Sequence, residues 1–183
     1  MSLKHGILGL LSYSPMTGYE LMKVFNQSLS FFWSAQTSQI YRELDTIEKK
    51  GWVVSEEVIQ HDKPNKKIFT ITGNGKSELR LWLDLHSVEK QMKYRDDLTM
   101  RVFFSAKSDP SILIKELKKY GEMNKEFVEN LEIAKRDSVD ANVFELPDDK
   151  LYWHLAILRG VRNAEGNIKW VEDCLKLLEN RGV

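Results

Sequence analysis

The stretch "TSQIYRELDTIEKKGWVVSEEVIQHDKPNKKIFTIT", Thr37 to Thr72, changes its period half-way, and that change decides the fold. Up to Gly51, the apolar residues Ile40, Leu44 and Ile47 recur at helical spacing. They put Ser38, Arg42, Asp45 and Lys49 on the opposite face, with Gln39 and Tyr41 on the shoulders. Gly51 occupies the position just past a helix end, which favours glycine. Beyond it, "GWVVSEEVIQ" and "KKIFTIT" are β-branched and aromatic runs divided by "HDKPN", a turn built from Asp, Pro and Asn. The pattern predicts a helix over Ser38 to Lys50, then a β-hairpin.

The flanking sequence completes a unit. An apolar helix is expected over residues 3 to 11, after which Pro15 and Gly18 punctuate the chain. Thr17 has the type and place to cap a second helix ending near Gln27, with either Tyr19, Met22 and Phe25 or Leu21, Val24 and Phe25 toward the core. "SLSFFWSA" reads as an apolar linker to the third helix. After the hairpin, Thr72 caps "GNGKSELRLWLDL", in which Leu79, Trp82 and Leu83 share a face. The order helix, helix, helix, hairpin, helix is that of a winged helix-turn-helix, whose third helix enters the major groove of DNA. Ser38, Gln39 and Arg42 lie near the N-terminus of that helix and are residue types that hydrogen-bond to bases and phosphates. Lys63, Lys66 and Lys67 crowd the hairpin tip, where phosphate contact is their natural use. The bland alternative is a solvated helix face and turn in a winged-helix adaptor that binds proteins.

Composition sharpens this. The 183 residues carry 27 basic and 27 acidic side chains, so no global field announces a polyanionic partner, and any electrostatic site must be local. The single cysteine, Cys174, excludes an internal disulfide framework and a cysteine-based zinc site, and fits a reducing cytoplasm. "GILGLL" is too short to span a membrane and no targeting signal is read.

From about residue 86 the pattern is helical throughout, which places a winged-helix domain in residues 1–85 and a helical domain in residues 86–183. The expected fold is mostly α, of the α+β kind. Asp109-Pro110 reads as a cap followed by proline at the first helical position. From there Leu113, Leu117, Tyr120, Asn124, Phe127, Leu131 and Ala134 step by four and three, a seam with one polar member. After "FELPDD" a second long helix is expected from about Asp149 to Asn180. It carries one apolar stripe through Leu151, Leu155, Leu158, Val161, Ile168, Val171, Leu175 and Leu178, and another through Trp153, Ile157, Gly160, Ala164, Trp170, Cys174 and Leu177. A helix apolar on two sides calls for a neighbour beyond its own fold, and a dimer arm is preferred here to a bundle within one chain.

The segments "GILGLLSYSPMTGYELMK", "SQIYRELDTIEKKGWV" and "IFTITGNGKSELRLWL" resemble the PadR family of bacterial transcriptional regulators, and the helical half resembles the C-terminal dimerisation region of its longer members. The resemblance covers essentially the whole chain. It implies a homodimeric repressor that binds a pseudo-palindromic operator and releases it on binding a small hydrophobic, often phenolic, effector. On this resemblance Ser38, Gln39, Tyr41 and Arg42 match the reading helix, and Lys66 and Lys67 match the basic wing. Phe69 stands where the family often has Tyr, and lysine where arginine is frequent, which makes phosphate contacts less bidentate.

Phe32 and Trp33 in the linker, with Trp153 in the last helix, are the candidate effector contacts, since aromatic clefts are common ligand sites. No cofactor or metal is expected. His5, His61, His86 and His154 stand in no ligand spacing, and Cys174 lies on an apolar stripe. Gly75-Lys76-Ser77 mimics the end of a phosphate-binding loop, but Thr70 stands where its leading glycine belongs, so no enzyme is expected.

Overall fold

The structure is a computed structural model and describes residues 3–59, 65–84, 96–140 and 147–180. The chain divides into two compact units, Met1–Val88 and Glu89–Val183. The first is a winged helix-turn-helix and the second is helical.

In the first unit α1 (Leu3–Leu11), α2 (Gly18–Gln27) and α3 (Thr37–Lys49) pack their apolar faces on one another. Ile7, Leu8, Leu21, Ile40, Leu44 and Ile47 are each 0% exposed, so the helical period of α3 is the period of the core. Of the two faces offered by α2, the buried one runs through Leu21 and Phe25, and Tyr19 is exposed. Thr17 caps α2 as expected. The Glu20 amide donates to its hydroxyl and the Thr17 amide donates to the Glu20 carboxylate at 2.8 Å, a reciprocal capping box. A single 3-10 turn, Leu29–Phe31, interrupts the linker to α3.

The wing is a three-stranded antiparallel sheet in the order β1-β3-β2, formed by β1 (Met16–Thr17), β2 (Val53–Val58) and β3 (Lys66–Ile71). β1 is a strand that the sequence pattern does not reveal. Its register, Met16 on Phe69 and Thr17 on Ile68, stitches the start of α2 to the wing. α4 (Gly73–Asp84) then returns against α1.

The second unit contains α5 (Asp97–Phe104), α6 (Pro110–Asp140) and α7 (Pro147–Glu179). α7 begins slightly earlier than expected, with proline at its first position. α6 and α7 pack together as an antiparallel pair within the chain. Asn124 and Asn167 fix the register: the Asn167 side-chain amide donates to Asn124 Oδ1 at 2.9 Å, and that of Asn124 donates to the Tyr120 carbonyl at 2.7 Å. Sliding one helix along the other would break the Asn167–Asn124 bond and leave half-buried amide groups without that partner, which makes slippage costly. The two stripes expected on α7 resolve differently. Ile157 and Ala164 from one and Val161 and Val171 from the other are buried together, so the face between the stripes meets α6. Leu151, Leu155 and Leu158 stay exposed.

Candidate nucleic-acid interface

The end of α3 is built as a junction. Gly51 has a φ of 69°, the left-handed region that glycine enters without strain. Its amide donates to the Glu48 carbonyl at 2.9 Å and the Trp52 amide to the Ile47 carbonyl at 3.0 Å, the two bonds of a Schellman cap. The same turn receives α4. The Thr72 hydroxyl donates to the Gly51 carbonyl at 2.7 Å and accepts from the Gly75 amide at 3.1 Å, while the Thr72 amide donates to the Trp52 carbonyl at 2.9 Å. One threonine therefore caps α4 and anchors it to the point where helix α3 becomes strand β2. Gly75 of the apparent phosphate-loop motif sits against this turn: a Cβ there would lie 2.1 Å from the Trp52 carbonyl oxygen. Its glycine serves packing.

The outward face of α3 presents Ser38, Gln39, Tyr41 and Arg42, all exposed, together on its first half. Their side chains are not equally uncommitted. Gln39 accepts the Gln36 amide at 2.8 Å through Oε1, which closes the start of the helix and leaves its NH2 outward. Among the described residues Arg42 donates only a long 3.3 Å bond, from Nε to the Ser38 carbonyl. The Tyr41 ring rests on the start of α2, where a Cβ on Gly18 would come within 2.7 Å of it. Tyr41 is thus held between the two helices of the helix-turn-helix, with its edge open to solvent.

The wing lysines separate. Lys63 lies outside the described residues. Lys66 is exposed at the start of β3, and among the described residues no carboxylate lies within ion-pair distance of it. Lys67 faces the other way: its ammonium pairs with Glu48 of α3 at 2.9 Å and lies over the Phe69 ring, 5.1 Å from the centroid. The Ser55 hydroxyl donates to the other oxygen of the same carboxylate. Ser55 first and Lys67 second hold the Glu48 carboxyl below its ordinary pKa. Sequence reasoning missed Glu48 because nothing local marks it.

A winged helix-turn-helix with an exposed polar reading face is the scaffold of many DNA-binding families, and comparison with known proteins separates them. Residues 7–81 match the Transcriptional regulator PadR-like family, and residues 94–179 match the Virulence activator alpha C-terminal region. The chain belongs to the PadR-like family of transcriptional regulators. A probable transcriptional regulator of Mycobacterium tuberculosis is 29% identical, over 99% of this chain and 100% of its own. The negative transcriptional regulator PadR of Bacillus subtilis is 28% identical, over 97% of each. The crystal structure of Bacillus subtilis PadR with operator DNA superposes with a TM-score of 0.80 at 27% identity, covering 97% of this chain and 99% of that one. The structure of that protein with p-coumaric acid has a TM-score of 0.76 at 24% identity, covering 98% and 99%, a likeness of fold.

The candidate effector residues of this PadR-like chain fall in both units. Phe32 and Trp33 follow the 3-10 turn and are exposed, and Trp153 lies half-buried on α7. Cys174 is half-buried, and burial pushes its thiol pKa up, away from the reactive thiolate. Among the described residues no three His, Cys, Asp or Glu side chains group as a metal site requires. No described helix is long and apolar enough to cross a membrane.

Proposed function

We propose that this protein is a cytoplasmic, homodimeric transcriptional repressor that binds a pseudo-palindromic operator and leaves it when a small hydrophobic or phenolic effector binds. The observation that carries the reading is the first half of α3. It gathers Ser38, Gln39, Tyr41 and Arg42 on one exposed face, held from behind by a core that includes Ile40 and Leu44. Arg42 supplies the planar fork that grips guanine, and the free amide of Gln39 donates to a base edge. Lys63 and Lys66 at the wing bind phosphate, which positions the helix without adding sequence information. Two protomers set two reading helices about 34 Å apart, or a multiple of that, to match two half-sites.

The dimer is supported by Leu151, Leu155 and Leu158, an exposed apolar row one and two turns apart on α7. The effector is proposed to stack on aromatic rings, Phe32 and Trp33 being the candidates in the first unit and Trp153 a separate candidate in the second. It acts by favouring the arrangement of reading helices that does not fit the operator.

Fluorescence anisotropy tests the reading, with labelled duplex from upstream of the protein's own gene and a random duplex titrated at two salt concentrations. Tight, sequence-dependent and salt-sensitive binding is expected. Salt-independent or absent binding to both would favour a protein-binding adaptor, and retention on heparin gives a second measure of the same distinction.

A further inference from the structure

We propose that Glu48 is a positioning residue that sets DNA specificity: it clamps both long strands of the wing to the end of the reading helix and withholds Lys67 from phosphate. The inference rests on the DNA-binding reading above and deepens it.

Three elements meet at this carboxylate. Glu48 comes from the last turn of α3, Ser55 from β2 and Lys67 from β3. The register pairs Ser55 with Phe69 and Glu57 with Lys67, so Ser55 and Lys67 share one face of the hairpin. Ser55 Oγ holds one carboxylate oxygen and Lys67 Nζ holds the other, at 2.9 Å. A negative charge at the C-terminal end of a helix is unfavourable by itself, so the carboxylate gains by having these partners. Backbone bonds at Gly51 and Trp52 already join the strands to the helix, but they lie at one end of the hairpin and leave its swing to side chains.

The pair is partly solvated, with Glu48 29% and Lys67 49% exposed, so it contributes little to folding. Its consequence is electrostatic. A lysine that reaches a phosphate releases a counterion and steepens the salt dependence by about 0.9 on a log-log plot, irrespective of sequence. Lys67 neutralised by Glu48 releases none. Lys66, on the opposite face, makes no ion pair among the described residues, although its charge reaches the Glu20 carboxylate, and it stays available for DNA. The wing thereby arrives at a set angle with part of its sequence-blind attraction switched off, and discrimination rests more heavily on α3.

The test is a charge-removal cycle on the full-length protein, reading the salt slope on operator and random duplex. Glu48→Gln keeps the shape and the hydrogen-bond acceptor but frees Lys67. Random-duplex binding should strengthen several-fold, the slope should steepen by about one per protomer, and the operator-to-random ratio should fall. Lys67→Met alone should leave the slope unchanged, and the double variant should restore it. A Glu48→Gln slope equal to that of the wild type, or a Lys67→Met slope flattened by one, overturns the inference while leaving the regulator reading intact. Weaker binding to both duplexes without a steeper slope marks a merely structural role and overturns it also. Wild-type protein that shows no salt-sensitive binding overturns the regulator reading itself.

Discussion

The imidazole of His5 lies flat on the indole of Trp82, with ring centroids 4.7 Å apart and planes 10° from parallel. This joins α1 to α4, and the same imidazole meets the Glu78 carboxylate through Nε2 at 3.1 Å, where Lys4 also pairs at 3.3 Å. His5 is only 6% exposed and its Nδ1 is buried without a hydrogen-bond partner. Burial, the largest influence, holds its pKa below the ordinary value, although Glu78 pulls the other way. The unfolded chain therefore binds this proton more readily than the folded one. The contribution to stability is full above about pH 6.5 and is lost as pH falls through that value toward the lower folded pKa. Glu78, whose carboxyl is held low first by its hydrogen bond to His5, adds a further loss below the usual glutamate range. The urea midpoint of the N-terminal unit should be flat between pH 7 and 8 and decline below it. His5→Phe keeps the stack and should remove the early part of that decline. An unchanged decline would assign it to other groups.

Gly75 should tolerate no side chain. The atom a Cβ would meet at 2.1 Å is the Trp52 carbonyl oxygen, part of the junction that ends α3, and a backbone atom there cannot give way without moving the wing. Gly75→Ala is expected to cost about 1–3 kcal/mol as overpacking. Gly73, with nothing within 4 Å of its virtual Cβ, should accept alanine at no cost. Thermal or urea midpoints decide it, and equal midpoints for the two variants would mean that α4 does not abut this turn as described.

Much of this architecture was legible because it is local. Ile40, Leu44 and Ile47 declare a helical face by spacing, Thr17 and Thr72 declare caps by type and place, and Gly51 declares an end. β1 was not legible, since Met16 and Thr17 are too short a run to show a period and become a strand only by pairing with Phe69 and Ile68. The two stripes of α7 were visible, but not which edge of each would face α6, since that follows from the partner helix. At the interface, sequence counted Lys66 and Lys67 as equivalent. Adjacent residues of a strand point to opposite faces, and the Glu48 that neutralises Lys67 lies 19 residues away, so only the folded sheet separates them.

Arg42 and Lys66 should fail differently. Arg42 stands on the exposed face of α3 with most of its guanidinium uncommitted among the described residues, and on the proposed reading Arg42→Ala should cost roughly 1–3 kcal/mol at the preferred site, mostly in discrimination. Lys66→Ala should weaken all sequences alike and flatten the salt slope by about one per protomer. Competition anisotropy with operator and random duplex measures both. Equal loss on random duplex would remove Arg42 from base reading, and an unchanged slope would remove Lys66 from the phosphates.

The exposed row on α7 gives the last prediction. Leu151, Leu155 and Leu158 are spaced four and three apart and flanked by Tyr152, which is 68% exposed, while α6 covers the adjacent face. A solvated charge in place of Leu155 leaves that packing alone, since Leu155 is not among the residues buried against α6. Leu155→Glu should therefore keep its helix content by circular dichroism yet sediment as a monomer at concentrations where the wild type is expected to sediment as a dimer. Operator affinity should fall at least tenfold, because two half-sites then have to be filled by separate binding events rather than one. Binding to a single half-site should be unaffected. A Leu155→Glu protein that still sediments as a dimer would move the interface to another apolar surface of the helical unit, of which Met100, Phe103 and Phe104 on α5 form the most exposed.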